Sequence, residues 1–367
     1  MRNKGTYPRT RTGSRAVSLR ATYVLYNTLE AKHRGAMATT ASTLIHAHGL
    51  DEAREQLAPF ISVRYVQLER GMACSRGAVA RMEQLTVGYV GADRHKVEWL
   101  DVPRGQIILV VPVRGRARLG TTSIEPGKAV IAHGPSQLVV CTDRQYQSFF
   151  VAIPDRAVAR FIGQDHAATG SIRVRQLRAS DARIETFDSY ARRTIDAAEA
   201  GTSELAVAAD ALLKICDSWL RDERGDDVAL PASTARCQAA VRARQYIDEH
   251  LDRPLTLASV CQASYASPRA LEYGFREIFG VSPIAYIRCA RLSRVRGELY
   301  FSPHSIGKIT QLAMKWGFWH LSQFSKDYYD LFGELPSITL GRASGRIDRS
   351  GCDCVETTAP VAVAEGL

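Results

Sequence analysis

The sequence predicts an α+β chain in which an antiparallel β-sandwich or small barrel precedes an all-α half. Three observations lead there. Between about Glu83 and Ile153, β-rich runs (EQLTVGYV, HKVEWLDV, QIILVVPV, RARLGTTSI, KAVIA, QLVVC, QSFFVAI) alternate with turn signals at Gly91-Ala92-Asp93, Pro103-Arg104-Gly105 and Pro126-Gly127. After Pro154 the apolar residues recur at intervals of three and four. Between Leu255 and Pro336 one helical pattern occurs twice. At 367 residues the chain is too long for one ordinary core, so two folded domains are expected.

Residues 1–40 read as a basic, disordered leader. Arg2, Lys4, Arg9, Arg11, Arg15 and Arg20 precede the first acidic residue, Glu30, and no continuous apolar core of a secretory signal is present. Residues 41–180 form the β-rich domain, entered through a short amphipathic helix, LDEAREQLAPF at 50–60. Residues 181–224 hold two helical patterns, IETFDSYARRTIDAAEA and SELAVAADALLKICDSWLRDE, which either cover the β-domain or pair two copies of the chain. Residues 225–236 are small and polar with one proline, as in a linker. Residues 237–342 are helical almost throughout, and 343–367 read as a flexible tail.

Composition narrows the partner. The formal charge of +10 points to a polyanion, and the leader does not account for all of it. Residues 236–342 carry fourteen Lys/Arg against nine Asp/Glu, so the helical half is basic by itself. The longest apolar run, Ile107 to Val113, is far short of the roughly 20 residues a membrane-spanning helix needs. Eight scattered cysteines lack the dense spacing of a disulfide scaffold and point to a reduced, cytoplasmic setting.

Enzyme chemistry finds little support. His95 and His133 are isolated within the β-rich runs, and His46 and His48, which do have a His-x-His spacing, precede them. Cys352-Asp353-Cys354 has no histidine nearby, and no phosphate loop or GxSxG elbow is present. No catalytic residue, cofactor or metal is therefore expected. Arg114, Arg116 and Arg118 alternate as on an exposed strand face.

The helical half is more specific. In 255–283, Leu257, Val260, Cys261 and Ser264 mark one face, then Ser267-Pro268 opens a second helix with Leu271, Phe275 and Phe279 inward. In 306–336, Ile309, Leu312, Ala313 and Trp316 form the face, Gly317 supplies the turn, and Phe324, Tyr328 and Phe332 line the next helix. Both units end alike, in FGVSP at 279–283 and FGELPS at 332–337, where glycine caps the helix and proline redirects the chain. Two short helices across a tight turn make a helix-turn-helix, whose second helix can enter a major groove. PIAYIRCARLSRVRGELY (283–300) is a linker helix between the units, with Arg288, Arg291 and Arg294 available to phosphates or neighbouring acids.

With LTLASV, SPRAL, FREIFGVSPIAYIRCARL and WGFWHLSQFSKDY…LFGELPS in order, residues 237–342 resemble the DNA-binding domain of the AraC/XylS family of bacterial transcription regulators. The resemblance implies an N-terminal cupin-like antiparallel β-barrel with flanking helices and a C-terminal domain of two helix-turn-helix units. It implies a cytoplasmic, sequence-specific regulator, an activator, whose partners are promoter DNA, RNA polymerase, a second copy of the chain and a small-molecule effector in the barrel. Constitutive DNA binding with a barrel that only dimerises is the alternative, and a cupin metal enzyme the remote one. DNA-facing positions implied by the layout are Arg269, Glu272, Tyr273 and Arg276 in the first unit and Leu321, Ser322, Gln323 and Lys326 in the second. Arg269, Gln323 and Lys326 are the foremost of these. Two departures stand out. Tyr265 occupies a turn where the family usually places glycine, so a looser or differently shaped first turn is expected, and Tyr273 stands where many members carry a basic residue.

Overall fold

The structure, a computed structural model, describes residues 40–157, 174–221, 226–227, 235–303 and 309–345. The expected leader but for Thr40, most of the expected linker and the tail beyond Gly345 lie outside the described residues.

Strand β1 (Ala41–His48) and helix α1 (Leu50–Leu57) open the first half. They are followed by β2 (Ser62–Gln67), β3 (Cys74–Arg81), β4 (Thr86–Ala92), β5 (Lys96–Val102) and β6 (Gln106–Arg114). Then come β7 (Ala117–Leu119), β8 (Thr122–Ile124), β9 (Lys128–His133), β10 (Ser136–Thr142), β11 (Tyr146–Pro154) and β12 (Val174–Arg178). Helices α2 (Asp181–Ala200) and α3 (Leu205–Leu220) and the short β13 (Asp226–Asp227) complete it.

The strands form two antiparallel sheets, one ordered β1-β3-β4-β11-β6-β9-β12-β13 and the other β2-β5-β10-β7-β8. They do not close into the expected barrel. The reason lies in the middle of the larger sheet, where strands are apolar on both faces and must be covered on both. In β6, Ile107, Leu109 and Val111 pack toward α2 and α3, whereas Ile108 and Val110 face the smaller sheet. In β11, Phe149, Val151 and Ile153 take the helical side and Phe150 and Ala152 the other. Pro112, which cannot donate to a ladder, sits where the β11 register shifts between Gln147 and Ser148.

Helices α2 and α3 therefore cover the sheet, with Phe187, Ile195, Leu212 and Trp219 buried against it. His46 and His48 do not precede the β-region as expected, but lie in β1 at its edge, their rings 5.3 Å apart. Cys141, Cys216, Cys261 and Cys289 are free thiols, and burial pushes the thiols of Cys141 and Cys216 up to about 12. Cys74 departs from the all-reduced expectation, being disulfide-bonded. Among the described residues no helix is long and apolar enough to cross a membrane.

The second half comprises α4 (Ala235–Glu249), α5 (Leu257–Ser264), α6 (Pro268–Phe279), α7 (Pro283–Phe301), α8 (Ile309–Lys315), α9 (Leu321–Phe332) and α10 (Pro336–Ala343). It packs on the outer face of the smaller sheet. Val66, Leu68, Val97 and Trp99 of that sheet and its margin share one buried cluster with Ile247, Leu271, Phe275, Phe279 and Tyr286. The second unit has its own core, in which Leu292, Val295 and Leu299 of α7 meet Leu312, Phe324, Tyr328 and Phe332.

Candidate nucleic-acid interface

Local sequence starts each element of the first unit. Thr256 and Ser259 bond reciprocally as a capping box at the start of α5. Ser267 Oγ accepts from the Ala270 amide at 3.2 Å, and Pro268 takes the first helical position of α6. Leu271, Gly274, Phe275, Ile278 and Phe279 are buried. Gly274 lies against the Arg236 carbonyl of α4 and leaves no room for a Cβ, a close approach that the sequence pattern did not reveal.

The expected first-unit residues share the opposite face. Arg269, Tyr273 and Arg276 are exposed and Glu272 is half-buried. The Arg269 guanidinium lies 5.7 Å from the Tyr273 ring centre, and Arg276 Nε donates to Glu272 at 2.8 Å. Three cationic or aromatic groups therefore stand clear, with Glu272 balancing one of them.

Tyr265 holds φ 56° and ψ 43° at the end of α5, and the Ala266 amide donates to Cys261 O at 3.1 Å. Gly317 plays the same part after α8 with φ 83°, and Phe318 donates to Ala313 O at 2.9 Å. The first turn, expected to be looser or differently shaped, instead has the same left-handed closure with a side chain in a strained region. Because Tyr265 is 87% exposed, its ring contributes little packing. Tyr265→Gly is expected to stabilise the chain by about 1 kcal/mol, read as an upward shift of the denaturation midpoint. An unchanged or lowered midpoint would mean the ring packs in solution.

In the second unit α9 buries Phe324, Tyr328, Leu331 and Phe332. Ser322, Gln323 and Lys326 are exposed on the other side, together with Trp319 and His320 just ahead of the helix. Leu321 was expected to face outward; instead it is half-buried against the unit's core, as an apolar side chain in the first turn that gains more from packing than from water. Gln323 Nε2 donates to Asp327 Oδ1 at 2.8 Å, and Asp327 also pairs with Arg288 of α7 at 3.0 Å. Arg291 donates to the carbonyls of Leu251 and Arg253 at 3.2 and 2.6 Å. Two of the three linker-helix arginines therefore bind protein groups.

Sequence reasoning passed over the next arginine. Arg296 is 5% exposed, lies among apolar residues of α7, and meets Asp51 of α1 at 3.1 Å and Glu334 at 2.7 Å. Glu334 also holds Arg342 at 2.7 Å and accepts from Thr339, which contacts the Tyr328 hydroxyl. Burial pushes the Asp51 carboxyl up, with Arg296 opposing it; Arg296 itself is raised, because the surrounding anions outweigh its burial.

Comparison with known proteins places these features in context. A helix-turn-helix domain family matches residues 260–342. The XylDLEGF operon transcriptional activator 1 of Pseudomonas putida is 27% identical over 217 residues, 59% of this chain and 67% of that protein. The XylDLEGF operon transcriptional activator 2 of the same organism is 38% identical over 99 residues, 27% of this chain and 63% of that protein. A probable AraC family transcriptional regulator from Rhodopseudomonas palustris shares 32% identity, covering 29% of this chain and 96% of that one, with a TM-score of 0.28. The AraC-like transcriptional activator CuxR shares 15% over 70% of this chain and 96% of its own, with a TM-score of 0.35.

Proposed function

This chain belongs to the AraC/XylS family of transcriptional regulators, and from that premise we propose that it is a sequence-specific activator placing α6 and α9 in successive major grooves of promoter DNA. The observation that carries the reading is the division of both helices. Each buries a row of aromatic and aliphatic side chains and leaves Arg269, Tyr273 and Arg276, or Ser322, Gln323 and Lys326, on the open face. Arginine and glutamine suit base edges, and lysine suits phosphate. The activating sense is supported by the Pseudomonas relatives, which are named as transcriptional activators; RNA polymerase as a partner is part of the same proposal.

The paired sheets serve, in this reading, as a cupin-like effector or dimerisation domain of a cytoplasmic homodimer. A second reading keeps DNA binding constitutive. It is favoured by the space between the sheets, which is filled by Ile45, Val63, Leu100, Ile108, Leu138 and Phe150. A metal-enzyme role for the β-domain is disfavoured, since the relatives are regulators and the His95 ring is engaged with the Phe279 carbonyl.

Gel-shift titration of the full chain tests the main reading, which requires a preference for its own promoter region over random DNA at physiological salt. In the same assay Arg269→Ala is expected to cost about 1–3 kcal/mol, roughly 5- to 150-fold, and to relax sequence preference at one position. Lys326→Ala should weaken all sequences alike and reduce the salt slope by about one. Unchanged affinity and slope would remove Lys326 from the interface.

A further inference from the structure

The last carbonyls of a helix have no partner within it and carry its partial negative charge, so any donor placed there both satisfies and anchors the helix end. At both recognition helices those donors come from the other half of the molecule. The His95 ring lies with Nε2 2.8 Å from the carbonyl of Phe279, the final residue of α6. A carbonyl can only accept, so Nε2 carries the proton in this contact. At the end of α9, Gln67 Nε2 donates to Leu331 O at 2.6 Å and the Gly71 amide donates to Asp330 O at 3.0 Å. Gln67 is only 3% exposed.

The two anchors belong to one short platform at the margin of the smaller sheet. Leu68 N donates to His95 O at 3.0 Å and His95 N to Glu69 Oε2 at 3.2 Å, and the two protons of Gln67 Nε2 are shared among Leu331 O and the carbonyls of Glu69 and Gly71. The glycine after each recognition helix backs onto this platform. A Cβ on Gly280 would lie 3.3 Å from His95 Nε2, and one on Gly333 would lie 2.9 Å from the Met72 amide. Both glycines have positive φ, at 67° and 72°, so each residue meets two demands that favour the absence of a side chain.

We propose that this platform caps both recognition helices in trans and that Gln67 and His95 are positioning residues that set the distance between the two DNA-reading faces. The inference rests on the DNA-binding reading above. The hydrogen bonds of the platform fall on the C-terminal ends of α6 and α9, and Arg269, Tyr273, Ser322, Gln323 and Lys326 are left exposed. Linker helix α7 joins the two units along one line, and a second tie at their far ends removes the rotation and splay that a single connection permits. Half-site spacing thereby becomes part of the sequence specificity, since two rigidly related helices fit only grooves at one separation.

The test uses full-length protein and the promoter fragment it protects, together with fragments carrying one- and two-base-pair insertions between the two protected grooves. Wild type should lose at least about tenfold in affinity per insertion, comparable to losing one good base contact. His95→Phe and Gln67→Met retain volume but lack the donors, and each should bind the native fragment within about threefold of wild type and lose less than about threefold on insertion. His95→Gln, which restores a donor, should recover wild-type discrimination. Thermal unfolding of each variant establishes that it is folded; His95→Phe removes the side-chain donor at the end of α6, whereas Gln67→Met leaves the Gly71 amide on Asp330 O at the end of α9, so His95→Phe is the deciding variant. Folded variants that discriminate spacing as wild type does would assign the spacing to α7 alone and overturn the proposal. Failure of wild type to prefer the promoter over random DNA would instead remove the DNA-binding reading on which it rests.

Discussion

Replacing Arg296 by alanine is expected to destabilise the folded chain by about 3–5 kcal/mol, the cost of leaving buried acids without their partner. Asp51 and Glu334 converge on its guanidinium, and Glu334 is itself only 5% exposed. The guanidinium also lies 4.9 Å from the Phe332 ring centre, so the side chain joins α1, α7 and the end of α9 at one point. Removing it leaves Arg342 to balance Glu334 and leaves Asp51 facing the half-buried Arg54 in place of the Arg296 ion pair.

The loss should depend on pH in a defined sense. Burial already raises Asp51 above its ordinary 3.8, so the folded chain holds that proton more tightly than the unfolded one. Stability from this group is fully present below the unfolded value and is lost as pH rises through the folded one. Without Arg296 the folded value climbs further, so the deficit should be larger at pH 7 than at pH 5. Denaturant titrations of wild type and variant at both values measure it. A deficit under about 1 kcal/mol at pH 7 would show that water reaches these carboxylates.

Phe324→Ala should cost a similar amount, about 3–5 kcal/mol, through a different mechanism. The ring is 2% exposed and lies 5.2 Å from Phe318 and 5.9 Å from Tyr328, centre to centre, within the cluster that joins α9 to α7 and α8. Truncation removes the transfer energy of the ring and opens a cavity whose walls, backed by helix on each side, have little freedom to collapse. Ser322→Ala, two residues away on the open face, should stay within about 0.5 kcal/mol. Equal effects at the two positions would contradict the division of α9 into a packed side and a reading side.

Much of this second half was legible because its signals are local. Ser267-Pro268 and Ser282-Pro283 start helices, Gly280 and Gly333 end them, and the aromatics of α9 recur at helical spacing; all of these act within a turn or two of themselves. The contacts joining the halves are of another kind. Gln67 meets Leu331 across 264 positions and His95 meets Phe279 across 184, and neither residue type announces such a partner. Arg296 was hidden by its neighbours, since Leu292, Val295 and Leu299 make its face read as apolar core.

The early strands were missed for a related reason. β3 reads CSRGAVAR, with small residues where bulky β-branched ones would signal a strand. Its Gly77 lies so close to the Tyr89 carbonyl that any side chain would collide. Leu321 was misplaced because the layout implied by the resemblance put it outward, whereas its spacing of three and seven residues from Phe324 and Tyr328 puts it on the packed side of the helix.

The cluster in which Val66, Val97 and Trp99 meet Ile247, Phe279 and Tyr286 alters what a fragment of this protein would be. The chain reads as divisible near residues 225–236. A cut there would nevertheless strip one wall from the first helix-turn-helix and lay bare a continuous oily surface on each piece. The natural parting in the sequence is thus not a parting in the molecule. Each half would leave the other with a sticky face, prone to self-association, where the intact chain has a sealed seam.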